Sequence, residues 1–190
     1  MEEKRGSIAF FSTYRPPVPL DIYSCPNPQA PPQQTELHMT DGESYNYDAQ
    51  VIPPAALKAI LNRPKLASEA AKDADVDSGR VSGIVFVSER ANLETLHFAL
   101  RFNDVSPPKV KVFSFSDVYG TFDGVRMEDS GRFAGDYLVY VTTKDDPDDR
   151  RQPWTAVYKT NLKTGKTERL TPSGYLSFAF FVATVETEAS

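Results

Sequence analysis

Few side chains in this 190-residue sequence stand at spacings that serve chemistry. Asp73, Asp75 and Asp77 alternate ahead of Gly79, as in the opening of a calcium loop, where carboxylates at every second position converge on one hard cation. Here the glycine falls one position late and the twelfth position is Ile84, which supplies no bidentate carboxylate, so the segment reads as a solvated acidic turn before a strand. Gly165-Lys166-Thr167 resembles the end of a phosphate loop, but the first glycine of that motif would be Thr160, and the segment reads as a hairpin turn. Nucleophilic catalysis needs a base beside its nucleophile. The only histidines are His38 and His97, both in strand patterns at positions expected to face solvent, and no Gly-x-Ser-x-Gly elbow occurs. Cys25 is the sole cysteine, which excludes an intramolecular disulfide and reads as a packing residue. The expectation is a chain with no catalytic set and no cofactor.

One further cluster suits recognition. Asp145, Asp146, Asp148 and Asp149 are followed by Arg150, Arg151 and Trp154, which reads first as a solvated acidic loop and otherwise as a partner-binding loop with an aromatic anchor. The net charge of −5 and the lack of any Lys/Arg block argue against a nucleic-acid surface. No signal-peptide pattern opens the chain, and the longest apolar-rich run, 175–185, is too short for a bilayer helix. No membrane association is expected, and the expected compartment is the cytosol, with the nucleus open.

The elements that would position these residues are mostly strands. The tetrapeptide Asp-Ser-Gly-Arg occurs at 77–80 and at 129–132, an offset of 52 residues in the range of propeller blades and other repeat arrays. Each copy is expected to form the turn before the opening strand of a repeat. Three opening strands share one pattern: Ile8–Ser12, Ile84–Ser88 and Leu138–Thr142. Each is a nearly continuous apolar run, as in strands buried on both faces, and ends in a hydroxyl residue. Arg15, Arg90 and Lys144 follow these strands. Second strands follow at 20–23, 94–97 and 155–158, and third strands at 35–42, 110–117 and 167–174. Phe178–Val182 repeats the type and order of Ile8–Ser12 and reads either as the start of a fourth repeat or as an unrelated tail. Residues 53–74 break the pattern: Pro54 suits a first helical turn, Ala56, Leu57, Ile60 and Leu61 share a face, and Pro64 ends it.

The order of apolar strand, Ser/Thr with a basic residue, Asp21-Ile22-Tyr23, then Met39-Thr40 and a Gly turn resembles the WD-like propeller repeats of TolB and of the N-terminal domain of dipeptidyl peptidase IV-type proteins. The third repeat carries the pattern in Leu138–Thr142, Val157-Tyr158 and Leu170-Thr171. The middle one keeps Ser88-Glu89-Arg90 but has Thr95-Leu96-His97 in place of Asp-Ile-Tyr. The chain as a whole looks most like the plant TolB-related group.

The resemblance implies an all-β fold in one domain over 1–190: a partial β-propeller of about three to four blades. The repeats fall at about 6–50, 77–120 and 129–174, a helical insertion at 53–74 lies between the first two, and a fourth repeat starts within 175–190. It also implies a non-enzymatic scaffold that binds a protein partner, or self-associates, through loops on one face. The residues expected to contribute are Arg15, Arg90, Lys144, Asp145, Asp146, Arg150, Arg151 and Trp154. Two alternatives stay open: a regulatory or substrate-gating fragment of a peptidase-like protein lacking its catalytic domain, and a propeller binding a glycan or small ligand.

Overall fold

The computed structural model describes residues 7–12, 20–26, 37–67, 73–90, 93–105, 108–120, 127–144 and 155–172. Three antiparallel meanders follow one another along the chain. The first comprises β1 (Ser7–Ser12), β2 (Asp21–Pro26) and β3 (Leu37–His38) in that order. The second is β4 (Asn46–Val51), β5 (Val81–Ser88), β6 (Thr95–Phe102) and β7 (Lys109–Ser114). The third is β8 (Glu128–Ala134), β9 (Tyr137–Thr142), β10 (Ala156–Asn161) and β11 (Thr167–Arg169). The chain is thus of the all-β class, with short helices.

Burial explains the apolar runs. Along β5, Val81, Val85 and Val87 face a core shared with the third sheet, while Ile84 and Phe86 face a smaller core with Ile22 of the first. Both faces of the second sheet are therefore covered, and the usual in-out polarity alternation disappears. The larger core is aromatic: Phe98, Phe115, Tyr119, Tyr140 and Tyr158 form a chain of ring contacts with neighbouring centroids 5.0–6.5 Å apart.

The strand registers align the three sheets. Ser12 faces Asp21, Ser88 faces Thr95 and Thr142 faces Ala156 across the same hairpin position. The first strand of the second sheet bonds back to the first sheet through Asn46 N–H to the Leu20 carbonyl (2.8 Å); Glu128 N–H to the Glu94 carbonyl (2.8 Å) repeats that contact one sheet later.

Several sequence expectations are corrected. The helical segment is not a spacer between repeats. α1 (Pro54–Leu61) and α2 (Asp73–Asp77) sit between β4 and β5, inside the second sheet, because β4 belongs to the sheet that follows it in the chain. Pro54 does open α1, whose Leu57, Ile60 and Leu61 are buried. The third strand of the middle repeat stops at Ser114. Its hydroxyl accepts the Asp117 N–H (3.0 Å) and the Asp117 carboxylate accepts the Ser114 N–H (3.1 Å), a capping box that starts α3 (Phe115–Tyr119).

The two Asp-Ser-Gly-Arg copies are not equivalent. Asp77 ends α2, and Gly79 turns the chain at φ +72°. The second copy lies inside β8, where the register slips between Asp129 and Arg132. Gly131 there is pressed against Leu96 and Val85, and a Cβ would stand 3.1 Å from Leu96 Cδ2. Residues 173–190, including the apolar run at 178–182, lie outside the described residues.

Candidate functional site

The densest polar cluster joins the first and second sheets, and Asp21 is its hub. This carboxylate, 1% exposed, accepts bonds from the Ile22 N–H (2.9 Å), the Asn46 side-chain amide (3.0 Å), the Thr40 hydroxyl and His38 Nε2. Asn46 Oδ1 in turn accepts the Ser88 hydroxyl (2.7 Å). Four members arrive on different strands: Asp21 opens β2, His38 ends β3, Asn46 opens β4 and Ser88 closes β5, while Thr40 comes from the β3–β4 connection. Arg90 seals the outside. Its guanidinium donates to the Asp41 carboxylate, the Glu43 carbonyl (3.2 Å) and the Ser88 hydroxyl (3.2 Å).

The electrostatics follow from this geometry. Burial pushes the Asp21 carboxyl up, but the bonds from His38, Thr40, Ile22 and Asn46 together outweigh it and hold it below its ordinary value. The bond to Asp21 raises His38, against partial burial, with the Asp21 and Asp41 charges adding to the rise. His38 also stacks on Tyr23, with centroids 5.0 Å apart. An Asp–His pair of this kind orients a base in hydrolases, where the imidazole's second nitrogen meets a nucleophile. Among the described residues no hydroxyl or thiol bonds to His38; the bond to Asp21 links the end of β3 to the start of β2.

The next junction is built differently. The amide of Leu96 stands where Ile22 stands one sheet earlier, and it is capped by Glu128 Oε2 (3.2 Å) from the incoming strand. In the third sheet the equivalent amide, Val157 N–H, is capped by the Thr171 hydroxyl (3.0 Å). One backbone donor per sheet is thus met by three unrelated acceptors: Asp21, Glu128 and Thr171. Glu128 is 4% exposed, and burial drives its carboxyl up to about 7, opposed only by the Leu96 bond. Thr142, equivalent to Ser88, is buried with a hydroxyl that finds no partner among the described residues.

The residues singled out from sequence are placed as follows. Asp73 and Asp77 end a helix, not a coordinating loop: Asp77 pairs with Lys58 (2.7 Å) and Asp75 with Arg80 (3.4 Å). Among the described residues no three acidic, histidine or cysteine side chains converge to hold a metal. Arg90 is committed to the first junction, whereas Lys144, two residues beyond Thr142 as Arg90 is beyond Ser88, lies 5.6 Å over the Tyr158 ring. Arg15, Asp145, Asp146, Arg150, Arg151 and Trp154 lie outside the described residues. His97 is 5% exposed, not solvent-facing. Burial lowers its pKa, and its Nδ1 lies 3.0 Å from the Thr95 carbonyl. Gly165 turns the β10–β11 hairpin at φ +78°. Among the described residues no helix is long and apolar enough to cross a membrane.

The hub itself was missed in the sequence. Its signal was the position of Asp21, Thr40 and Asn46 relative to the hydroxyl residue ending each opening strand. No protein-family model matches the chain, and comparisons with the curated proteins and with solved structures find no match.

Proposed function

We propose that the chain is a propeller-type, non-enzymatic scaffold that binds a protein partner through the loops leaving β1, β5 and β9. The observation that carries this reading is the common register of Ser12, Ser88 and Thr142. Loops that start from equivalent strand ends emerge on one side of successive sheets, where rigid scaffolds present recognition residues. The segments are Arg15–Pro19, Arg90–Leu93 and Lys144–Trp154, and the last carries Asp145, Asp146, Arg150, Arg151 and Trp154. The Asp21–His38 pair links β2 to β3, a structural use that is compatible with a binding role. The likeness of the repeats to TolB-type propeller motifs points the same way.

The test is affinity capture with the wild-type chain and with a variant carrying Arg150→Ser, Arg151→Ser and Trp154→Ala. A partner recovered by the first should then be titrated as a purified protein against both. The reading expects at least tenfold weaker binding by the variant, since an aromatic and arginine anchor dominates such surfaces. Equal affinity, or turnover of a peptide substrate by the purified chain alone, contradicts it.

A further inference from the structure

Arg101 is a buried cation that no described carboxylate meets. It is 9% exposed and stands on β6 between Ser82 of β5 and Val110 of β7. Its Nε is wholly buried without a hydrogen-bond partner. Its one polar contact among the described residues is Nη1 against Met39 Sδ at 3.9 Å, and a thioether is a weak acceptor. The other described arginines all reach oxygen: Arg80, Arg90 and Arg132 meet carboxylates, and Arg63 and Arg169 meet backbone carbonyls. Burial lowers the Arg101 pKa, and no neighbouring charge opposes that shift. Buried charges are ordinarily paired, because their desolvation is otherwise uncompensated. A guanidinium keeps its proton even so, and it calls for an anion.

The surroundings say which anion. Ile84 of β5 and Ala99 of β6 pack on Ile22, with half-buried Met39, Ala49, Val110 and Val112 around them. Side chains alternate along a strand, so Arg101, two residues from Ala99, lies on that same apolar face. Ser82 beside it accepts the Asn103 side-chain amide (3.4 Å) and keeps its own proton to donate. No second lysine or arginine of β5, β6 or β7 shares the face. Lys109 and Lys111 alternate with Val110 and Val112 to the other side of β7, where Lys111 lies 5.8 Å over the Phe102 ring. One guanidinium fork matches one carboxylate with two parallel bonds. Val110 and Val112 stand about 7 Å apart along the strand, the reach of a short alkyl chain. We infer that Arg101 and Ser82 bind a monocarboxylate with an apolar body, its carboxylate on the guanidinium and hydroxyl and its body along Val110 and Val112. Ser82 lies near the start of β5 and Ser88 is its last residue, so the site is at the other end of the strand from the partner loops and does not depend on them.

The test is thermal melting and titration calorimetry of the full chain with four probes: hexanoate, hexanamide, acetate and inorganic phosphate. Hexanoate should raise the melting temperature in step with its concentration. Hexanamide, which lacks the charge, and acetate, which lacks the apolar body, should each bind more weakly, and so should phosphate. Arg101→Met should weaken hexanoate binding by roughly tenfold to a hundredfold, the loss expected for hydrogen bonds to a charged group. In plain buffer the same variant should melt at or above the wild-type temperature, because it replaces an unpaired buried charge by an apolar side chain. Ser82→Ala should weaken hexanoate and leave hexanamide unchanged. No stabilisation by hexanoate overturns the site, as does hexanamide or phosphate binding as tightly as hexanoate. A preference for hexanoate that survives Arg101→Met also overturns it. So does an Arg101→Met chain that melts far below wild type in plain buffer, since the chain itself would then supply the counter-ion.

Discussion

The two inter-sheet junctions solve the same problem with the charge in different places. At the first, the carboxylate sits on the hairpin strand as Asp21, and three side chains and a backbone amide converge on it. At the second, the hairpin position is Thr95 and the carboxylate has moved to the incoming strand as Glu128, with one backbone bond. Both groups are almost wholly buried, yet their protonation is driven oppositely. A buried carboxylate with several donors stays ionised, while one with a single donor holds its proton. Equivalent backbone positions therefore do not imply equivalent electrostatics: the donors around Asp21, His38 first among them, outweigh burial, and the single Leu96 amide at Glu128 does not.

The sharpest way to break this comparison is to empty the first hub. Asp21→Ala leaves the Ile22 amide, the Thr40 hydroxyl and the Asn46 amide buried without their acceptor, at a cost of roughly 3–5 kcal/mol. Urea unfolding should show that loss, and a change below about 1 kcal/mol would mean that water or strand movement replaces the hub.

The next largest effect is one of sign. Glu128 has a folded-state pKa of about 7 against an ordinary value of 4.5. Its folded form therefore holds a proton that the unfolded chain releases. Its contribution is fully present below pH 4.5 and is lost as pH rises through 7. Glu128→Gln keeps an acceptor for Leu96 N–H without the ionisation, so at pH 8 it should stabilise the protein by roughly 2–3 kcal/mol. Asp21→Asn should destabilise it under the same conditions, because Asp21 is held low and favours the folded state at any pH above its ordinary value of 3.8. His38, held high, adds stability below 6.5 that fades as pH rises through its folded value. These three groups together place the stability maximum near pH 4–6. A maximum above pH 8 by thermal melts would contradict the assignment.

The smallest effect compares the paired hydroxyls. Ser88→Ala removes the partner of Asn46 Oδ1 and should cost about 1 kcal/mol. Thr142→Val replaces a buried hydroxyl that lacks a partner among the described residues, and should be neutral or slightly stabilising. Equal losses from both would show that Thr142 is bonded after all.

How much of this could be read in advance divides along physical lines. The opening strands β5 and β9 were legible because burial on both faces leaves a local record, a run such as Ile84–Val87 closed by Ser88. Helix α1 announced itself through Pro54 and the spacing of Leu57, Ile60 and Leu61. The Asp-Ser-Gly-Arg pair misled because four residues do not fix a conformation. Arg80 ends beside Asp75 of the helix that precedes it, whereas Arg132 makes a two-pronged pair with Asp48 of the neighbouring sheet at 2.9 and 3.3 Å. The assignment of β4 to the following sheet was hidden too, since it depends on pairing across the 29 residues that separate Val51 from Val81. The hub was the least legible, because its members come from four strands and the β3–β4 connection and meet only after the sheets pack.

The central claim is tested most directly by carbon-13 NMR titration of the Asp21 and Glu128 carboxyls in the native protein. The account predicts that Asp21 titrates below 3.8 and that Glu128 titrates near 7. Both carboxyls titrating near their ordinary values, or Asp21 above Glu128, would contradict it.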